Sequence, residues 1–503
     1  MDKSTVYLAG AGPGDISLIT VKALGLLKTA DCIIYDYLAN PDLLKFRKKD
    51  CELIYVGKKA GAHTLEQDKI NQLLAEKAKI HPSVLRLKGG DPFIFGRGAE
   101  EALYLRRKKV NFEIVPGISS AIAVPAYAGI PLTERGRTSS VGFIAGHEHP
   151  AKINSAVNWD GLAKALGTMV FLMGAGNLDS IVKKLIACGK PKSTAVAVIS
   201  RGTTARQKTV SGNLADIVEL AQEKGIAAPA IIVVGEVARL RKELNWFERK
   251  PLFGKRIIVT RAKDQAGVFS EKLISLGAEV IEIPVIKIKS LKADQQLSAA
   301  LSGGKYDWIF FTSQNGVDEF LEFLNRSGKD CRIISGAKIC SIGPETALSL
   351  AKIGLKADYI PMRFHAEALI RHFEKAKFKG NNILLLRAKQ ARDCLPQKLG
   401  KAGLKVKAID LYDTVLDKDA ASKIKEALKD KIDLVTFTSS STVKNFIKLL
   451  GKNYRRRLSK IKIASIGPVT SATLKGFGLS PDIQAKFFTI DGLTQAITKF
   501  NYD

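Results

Sequence analysis

A glycine-rich loop directly after a short apolar run is the feature that most limits how this chain can fold. The run Val6–Leu8 precedes Ala9–Asp15, with the sequence Ala-Gly-Ala-Gly-Pro-Gly-Asp, and an amphipathic stretch over Leu18–Leu27 follows. This order is typical of a parallel α/β sheet in which a ligand approaches backbone without Cβ atoms. Asp15 stands where a dinucleotide fingerprint needs its last glycine, and no Gly-Lys-Ser/Thr phosphate loop follows. Taken alone, the glycines fit a tight turn as well as a ligand loop.

The composition is that of a globular protein, and the length indicates several lobes. With 503 residues, 46% hydrophobic and 25% charged, the chain is too long for one core and predicts three or four lobes. No signal-like segment opens the sequence and no run reaches the roughly 18 apolar residues of a membrane span. We therefore expect a cytoplasmic protein without membrane contact. The six scattered cysteines favour reduced structural thiols.

The formal net charge of +30 points to an anionic partner. The excess of Lys and Arg is spread along the chain, and clusters such as Arg106–Lys109 and Arg455–Arg457 are typical of solvated faces. A polyanionic small substrate explains the charge as well as RNA does. We find no zinc-finger spacing and no RNP-type strand, so we expect no nucleic acid.

A boundary near residues 240–254 indicates two halves, each alternating β-rich runs with helical periods as in parallel α/β layers. The second half repeats itself after about 125 residues, a domain-sized distance that implies two similar lobes with a cleft between them. The matching segments are Ile257–Ala262 with Ile383–Ala388, Tyr306–Ser313 with Ile432–Ser439, and Ser341–Thr346 with Ser465–Thr470.

Distinctive residues of the first half fall just past predicted strands, where open α/β sheets bind ligands, although turn chemistry also places such residues there. The motifs are Gly10–Asp15, Tyr35-Asp36, Val56–Gly61, Leu87–Gly98, Pro116–Ala121 and Gly129–Thr133. Together they resemble the uroporphyrinogen-III C-methyltransferases of the tetrapyrrole methylase family over about residues 4–245. The resemblance implies two α/β lobes, S-adenosyl-L-methionine as methyl donor with S-adenosyl-L-homocysteine as product, and a homodimer through this half.

The resemblance also implies roles for residues of this half. Asp36 matches the family's proton acceptor and Lys58 its proton donor, which suits a reaction that moves positive charge onto a pyrrole carbon. Arg97 is a candidate for a substrate carboxylate. A turn aspartate, a surface lysine and a surface arginine are the structural alternatives. The residues that match cofactor contacts are Pro13, Gly89, Gly90, Asp91, Ile94, Ser119, Ser120, Met173 and Gly202, and the family commonly has Thr-Ala where this chain has Ser119-Ser120.

His147-Glu148-His149 is the segment that most resembles a metal motif. Two histidines without a partner Cys or a third His make a poor ligand set, and Gly146-His147 matches a methylase loop. We expect no metal.

Two strand-to-helix junctions of the second half carry hydroxyl side chains. Thr312-Ser313 and Thr438–Ser441 each end a predicted strand and begin a helical stretch, where unpaired N–H groups form anion sites. Simple N-capping explains one such junction without a ligand. Two junctions related by the repeat, together with Gly343–Thr346 and Gly467–Thr470, fit a substrate with several carboxylates.

This arrangement resembles the uroporphyrinogen-III synthase family over about residues 252–500, with individually weak motifs. The resemblance implies closure of linear hydroxymethylbilane with inversion of ring D and without a cofactor. It implies interleaved lobes, one from about 252–287 with 415–503 and the other from 288–414. Tyr412 matches the family tyrosine proposed to assist loss of the hydroxyl, and a hinge-packing tyrosine is the alternative. The expected cleft residues are Arg261, Thr312, Ser313, Thr346, Ser439 and Thr470.

The order of the halves predicts one bifunctional enzyme with domains at 1–245 and 252–503. It closes hydroxymethylbilane to uroporphyrinogen III and methylates that polycarboxylate tetrapyrrole at C2 and C7 to precorrin-2, a precursor of sirohaem and cobalamin. Since the chain has no room for the dehydrogenase and ferrochelatase module of longer relatives, we expect it to stop there. An RNA-directed methyltransferase, or a methyltransferase fused to a non-catalytic tetrapyrrole-binding module, are the other interpretations.

Overall fold

The computed structural model describes residues 4–57, 66–147, 157–261, 263–361, 369–370, 372–373, 382–391 and 393–502. The chain divides into two units, Met1–Lys255 with Leu273–Glu279 and Arg256–Lys272 with Val280–Asp503. The described residues form four five-stranded sheets. Among them we find no helix with the length and apolar character needed to span a membrane.

The first sheet of the first unit is fully parallel, in the order β3-β2-β4-β1-β5. Leu27 packs on one face, and Leu74 and Leu105 pack on the other. Because both faces are covered, the strands are rich in apolar residues, although the central strand β4 also contains Arg86 and Lys88. The elements are β1 (Thr5–Gly10), α1 (Val21–Thr29), β2 (Cys32–Tyr35), β3 (Glu52–Tyr55), α2 (Gln67–Ile80), β4 (Ser83–Lys88), α3 (Gly98–Arg107) and β5 (Asn111–Val115).

The second sheet of this unit has the order β6-β7-β10-β8-β9. Its elements are α4 (Ser120–Tyr127), β6 (Val141–Ala145), α5 (Trp159–Ala165), β7 (Thr168–Leu172), α6 (Leu178–Ala187), β8 (Ala195–Ser200), β9 (Lys208–Asn213), α7 (Ile217–Glu223), β10 (Ala230–Val234) and α8 (Arg241–Leu244). Strands β6 and β7 run parallel, whereas β10 is antiparallel to both β7 and β8, and β9 is antiparallel to β8. The sheet thus differs from the parallel layers that the sequence pattern predicts. One reason is that residues 201–207, between β8 and β9, are too few for a crossover of about a dozen residues.

The second half of the chain mostly alternates strands and helices. In chain order its elements are β11 (Arg256–Val259), α9 (Lys263–Ser275), β12 (Glu279–Glu282), β13 (Ile286–Ser290), α10 (Asp294–Gly303), β14 (Trp308–Phe311), α11 (Gln314–Ser327), β15 (Lys338–Ser341), α12 (Pro344–Lys352), β16 (Asn382–Ala388), α13 (Cys394–Lys401), β17 (Lys405–Leu416), α14 (Ala420–Ala427), β18 (Leu434–Phe437), α15 (Ser440–Leu450), α16 (Tyr454–Leu458), β19 (Lys462–Ser465), α17 (Pro468–Gly476), β20 (Ile483–Gln484) and α18 (Ile490–Lys499).

The internal repeat is confirmed by the sheet topology of this half. The two sheets have the orders β12-β11-β18-β19-β20 and β13-β17-β16-β14-β15. The matching segments lie on β11, β18 and β19 in one sheet and on β16, β14 and β15 in the other, and both sets are parallel neighbours in the same order. The first sheet combines strands from both ends of this half, and the second uses its middle. The numerical domain and lobe limits stay a prediction.

Candidate functional site

Three glycines bring the ends of three neighbouring strands into direct backbone contact. A Cβ on Gly10, the last residue of β1, would lie 2.4 Å from the Gly90 carbonyl oxygen and 2.5 Å from the Gly117 Cα. A Cβ on Gly117 would lie 2.3 Å from the same oxygen. Such distances leave no room for any side chain, so the loops after β1, β4 and β5 form one surface of bare backbone.

Asp91 shapes this surface through its carboxylate. Its Oδ1 accepts hydrogen bonds from the N–H groups of Phe93 (2.7 Å) and Ile94 (3.1 Å), and its Oδ2 accepts one from the N–H of Gly117 (2.9 Å). The side chain is buried. Asp91, which the sequence places among the cofactor contacts, thus ties the β4 loop to the β5 loop.

The amino end of α4 lies beside Gly90. Gly90 has a left-handed φ of +67°, and a Cβ there would lie 3.6 Å from the Ser120 nitrogen and 3.8 Å from the Ser119 Cα. Ser119 is buried, and its Oγ accepts the N–H of Ala121 as an N-cap. The structure therefore brings Gly89, Gly90, Asp91, Ile94, Ser119 and Ser120 together at one edge of the sheet, next to N–H groups that favour an anionic or polar ligand.

The loop after β8 also reaches this edge. A Cβ on Gly202 would lie 2.3 Å from Val124 Cγ1 of α4, and the Asp15 N–H donates to Thr203 Oγ1 (3.2 Å). Pro13, between Gly12 and Gly14, is therefore near Gly202. Met173, which follows β7, is 54% exposed and has a φ of +58°.

Asp36 follows β2 and is held by a buried arginine. Its Oδ2 accepts a hydrogen bond from Arg86 Nη2 (3.0 Å), and its Oδ1 accepts one from the N–H of Leu38 (3.1 Å). A Cβ on Gly89 would lie 2.4 Å from the Leu38 Cβ, so the Asp36 loop contacts the glycine surface. The carboxylate is fixed in position and about a quarter exposed, as its 24% side-chain accessibility shows.

Arg86 belongs to a buried ion network that the sequence analysis missed. Glu101 of α3 has 0% exposure, and its Oε1 accepts from Lys88 Nζ (2.7 Å) and Arg86 Nε (3.3 Å). Burial and the neighbouring Arg86 lower the pKa of Lys88. The positive charges of Arg86 and Lys88 balance the negative charges of Glu101 and Asp36, so the network is neutral, as buried charges require. The signal that could have revealed it is the pair of basic residues, Arg86 and Lys88, in the otherwise apolar β4.

The predicted proton donor and the predicted carboxylate-binding arginine of this half have different outcomes. Lys58, the predicted proton donor, lies outside the described residues. Arg97 forms two hydrogen bonds to Glu100 (2.9 and 2.8 Å) on an exposed surface. A substrate carboxylate would have to compete with Glu100 for that guanidinium. The structure describes His147, which contacts Asn177 Nδ2 at 3.3 Å, whereas Glu148 and His149 lie outside the described residues.

One group of possible metal-ligand atoms occurs among the described residues, at the amino ends of the strands of the first sheet. Cys32, Glu52 and His81 have ligand atoms within 4.8 Å of one another. The Glu52 carboxylate is already bound by Lys77 (2.6 Å) and His81 (2.7 Å), and burial raises the pKa of the Cys32 thiol to about 12. A cation there would have to displace Lys77 and a tightly held thiol proton, so the group is better explained as an ion pair with a structural thiol.

The two strand-to-helix junctions of the second half have the predicted N-cap geometry. Ser313 Oγ accepts the N–H of Gly316 (3.1 Å) at the start of α11, and Ser439 Oγ accepts the N–H of Thr442 (3.3 Å) at the start of α15. Thr312 Oγ1 donates to the carbonyl of Leu386 on β16. Both junctions therefore leave helix N–H groups at the carboxyl ends of parallel strands.

Tyr412 is buried, and its hydroxyl contacts the first junction. It has 5% exposure, and its Oη lies 2.8 Å from Ser313 Oγ. Ser439 Oγ, at the equivalent position of the repeat, contacts Ser441 Oγ at 2.9 Å instead. The two junctions are thus alike in backbone but differ in the partner of the serine.

The remaining predicted cleft residues lie at the ends of neighbouring strands or in the first turns of the helices that follow. Thr346 and Thr470 are buried in the first turns of α12 and α17, which begin at Pro344 and Pro468. Burial lowers the pKa of Arg261, which follows β11. These residues stay predictions for substrate binding.

Comparisons with known proteins identify both halves. A family model described as Tetrapyrrole (Corrin/Porphyrin) Methylases matches residues 5–218, and one described as Uroporphyrinogen-III synthase HemD matches residues 267–495. Both resemblances drawn from the motifs are therefore confirmed. The fold and the two family matches define a methylase of the tetrapyrrole class joined to a synthase-type domain.

Relatives extend the match to the whole chain. A porphyrin biosynthesis protein HemD of Ruminiclostridium josui is 36% identical over 98% of this chain and 97% of its own length. A uroporphyrinogen-III C-methyltransferase of Bacillus subtilis is 41% identical over 70% of this chain and 72% of its own length. An S-adenosyl-L-methionine-dependent uroporphyrinogen III methyltransferase of Methanosarcina barkeri is 52% identical over 48% of this chain and 94% of its own length. The chain belongs to the porphyrin biosynthesis family in which a tetrapyrrole methylase is fused to a HemD-type synthase.

We predict that Glu101→Gln destabilises the first unit by about 3–5 kcal/mol, because it leaves two buried cations without their shared anion. The neighbouring Glu100→Gln is the matched control. It breaks only an exposed pair with Arg97 and is expected to cost less than about 1 kcal/mol. Urea unfolding of the full chain measures both, and equal stability of the two variants would contradict the structural role of the network.

Proposed function

We propose that this chain is a bifunctional tetrapyrrole enzyme that converts hydroxymethylbilane to uroporphyrinogen III and methylates it at C2 and C7 to precorrin-2. The observation that carries the proposal is that one chain contains both a glycine-lined surface in its methylase half and two repeat-related strand-to-helix junctions, at Ser313 and Ser439, whose helix N–H groups suit anions. The names of the relatives support the same two activities.

S-Adenosyl-L-methionine fits the glycine surface of the first unit and supplies the methyl group when bound. Gly89 and Gly90 offer backbone without side chains, and the start of α4 at Ser119-Ser120 offers N–H groups. The Gly202 loop closes the same edge from the second sheet. These contacts support binding of the cofactor through backbone more than through side chains.

Asp36 is the group that we propose to accept the pyrrole proton. Methyl transfer places positive charge on the substrate ring, and a fixed carboxylate stabilises this charge before it takes the proton. Arg86 holds Asp36 Oδ2, so the carboxylate need not reorganise during the reaction. We propose Lys58 as the proton donor.

The second unit binds the carboxylates of the bilane at its duplicated junctions. Helix N–H groups after Ser313 and Ser439 attract anions without demanding one side-chain geometry. Tyr412 assists departure of the hydroxyl group, and Arg261, Thr312, Thr346 and Thr470 line the cleft. We further propose a homodimer through the methylase half, a cytoplasmic location, and no nucleic-acid or membrane partner.

The proposal is tested by incubating the purified chain with hydroxymethylbilane, first alone and then with S-adenosyl-L-methionine. We expect isomer III in the first incubation and a product two methyl groups heavier in the second. Formation of isomer I alone would leave a methylase joined to a binding module, and methylation of added RNA instead of tetrapyrrole would favour an RNA-directed enzyme.

We predict that Gly90→Ala abolishes binding of S-adenosyl-L-methionine, because a methyl group would project from the surface beside Ser119-Ser120. Gly225→Ala is the control for backbone strain. Its φ of +61° is close to the +67° of Gly90, and no atom lies within 4 Å of its Cβ position. Calorimetric titration measures both. An unchanged affinity for Gly90→Ala would remove the cofactor from this surface.

We predict that Asp36→Asn slows methyl transfer by about two to four orders of magnitude, as expected when a positioned proton-transfer group is lost. Cofactor affinity should change little. Asp42→Asn removes a carboxylate that pairs with Lys45 on an exposed surface, and should leave the rate unaltered. If Asp36→Asn turns over within a few-fold of the parent, Asp36 is only a turn residue.

We predict that Tyr412→Phe lowers the rate of isomer III formation more than it weakens bilane binding, because the hydroxyl acts on the leaving group. The share of isomer I, which forms spontaneously, should rise. Tyr454→Phe is the control, since it removes a hydroxyl that bonds only the Phe477 carbonyl at 2.7 Å. Isomer III formed at the parent rate by Tyr412→Phe would make Tyr412 a packing residue.

A further inference from the structure

We propose that Ser313 is a positioning residue for Tyr412. Its hydroxyl donates to Tyr412 Oη and holds the tyrosine so that the phenolic proton is available to the departing hydroxyl of the bilane. The inference rests on the proposed synthase function and deepens it, because it gives Ser313 a role that its repeat partner Ser439 lacks.

A β-bulge brings the tyrosine to the serine. Strand β17 pairs Arg387 with Asp410 but Ala388 with Tyr412, so Leu411 is one residue in excess. Leu411 and Tyr412 are consecutive yet both buried in the cluster that contains Val317 of α11. A regular strand would direct one of them to the opposite face, and a bulge is the usual means of re-aiming a side chain near a site.

The hydrogen bonds around Ser313 favour one direction for its proton. Its Oγ accepts the N–H of Gly316, and a serine hydroxyl has one proton to donate. The 2.8 Å contact between Ser313 Oγ and Tyr412 Oη allows either hydroxyl to donate. Because the start of α11 places partial positive charge at Ser313 Oγ, we assign the donor role to Ser313 and the acceptor role to Tyr412 Oη. The tyrosine proton then points away from Ser313.

The proposed step balances in protons. Tyr412 gives its proton to the hydroxyl of the bilane as the carbon–oxygen bond breaks, so that water leaves and the substrate becomes a cation. The phenolate that remains accepts the Ser313 hydrogen bond, which is stronger to a charged oxygen than to a neutral one. When the ring closes, the cation loses a proton, which restores Tyr412.

The test measures kcat and KM for hydroxymethylbilane in the full chain. We expect Ser313→Ala to lower kcat by about 10- to 100-fold, the range of a hydrogen bond to a charged group, with little change in KM. Ser313→Gly removes the same hydroxyl while keeping most of the N-cap energy, so it repeats the test if the alanine variant folds poorly. Ser313→Thr keeps both functions and should stay within a few-fold of the parent.

A double-mutant cycle separates positioning from a purely structural role. Adding Ser313→Ala to Tyr412→Phe should cost nothing further in kcat, because the serine acts through the missing hydroxyl. Thr489→Ala is the matched control, since Thr489 caps α18 by accepting the N–H of Gly492 as Ser313 accepts that of Gly316. It should lose a similar amount of stability and keep the parent kcat.

Three outcomes would overturn the inference. These are a parent kcat in Ser313→Ala, a loss that appears in KM alone, and additive losses in the double variant. None of them would contradict the proposed synthase activity, which fails if the parent chain makes no isomer III.

Discussion

The backbone contact among Gly10, Gly90 and Gly117 is the constraint on which the first unit depends. Because β1, β4 and β5 are parallel neighbours, their carboxyl ends lie at the same end of the sheet. The three loops that follow them can meet there only because the three glycines have no Cβ. A Cβ on Gly10 would lie 2.4 Å from the Gly90 carbonyl oxygen, and one on Gly117 would lie 2.3 Å from it. The Asp91 carboxylate then holds the β4 and β5 loops together by accepting three hydrogen bonds from backbone N–H groups. The result is a rigid surface made of peptide groups, which suits a ligand recognised through its polar edges.

The buried ion network gives that surface its chemistry. Arg86 joins the Asp36 loop to the core of the sheet, and Glu101 neutralises Arg86 together with Lys88. Burying Arg86, Lys88 and Glu101 is costly unless each charge has a partner, so the network indicates selection for position more than for stability. The link that matters for function is the one from α3 through Arg86 to the carboxylate of Asp36.

Much of this arrangement could be predicted from sequence, because local signals determine it. The glycine loops, the residues that follow each strand and the repeat of the second half were all visible as patterns in the chain. Three features were not. The antiparallel strands of the second sheet depend on connection length, the role of Glu101 depends on which helix face meets β4, and the contact of Tyr412 with Ser313 depends on a bulge at Leu411. The last two arise from contacts between segments that are far apart in the chain, which periodicity along the chain does not reveal.

A crystal structure of the chain with S-adenosyl-L-homocysteine would show whether the cofactor binds where the glycine loops meet. We expect density for the ligand against the backbone of Gly89-Gly90 and the start of α4, with the Gly202 loop on its other side and the glycine contacts unchanged. Ligand density at any other surface, or glycine loops that separate to admit the ligand, would show that these loops are not a preformed cofactor site.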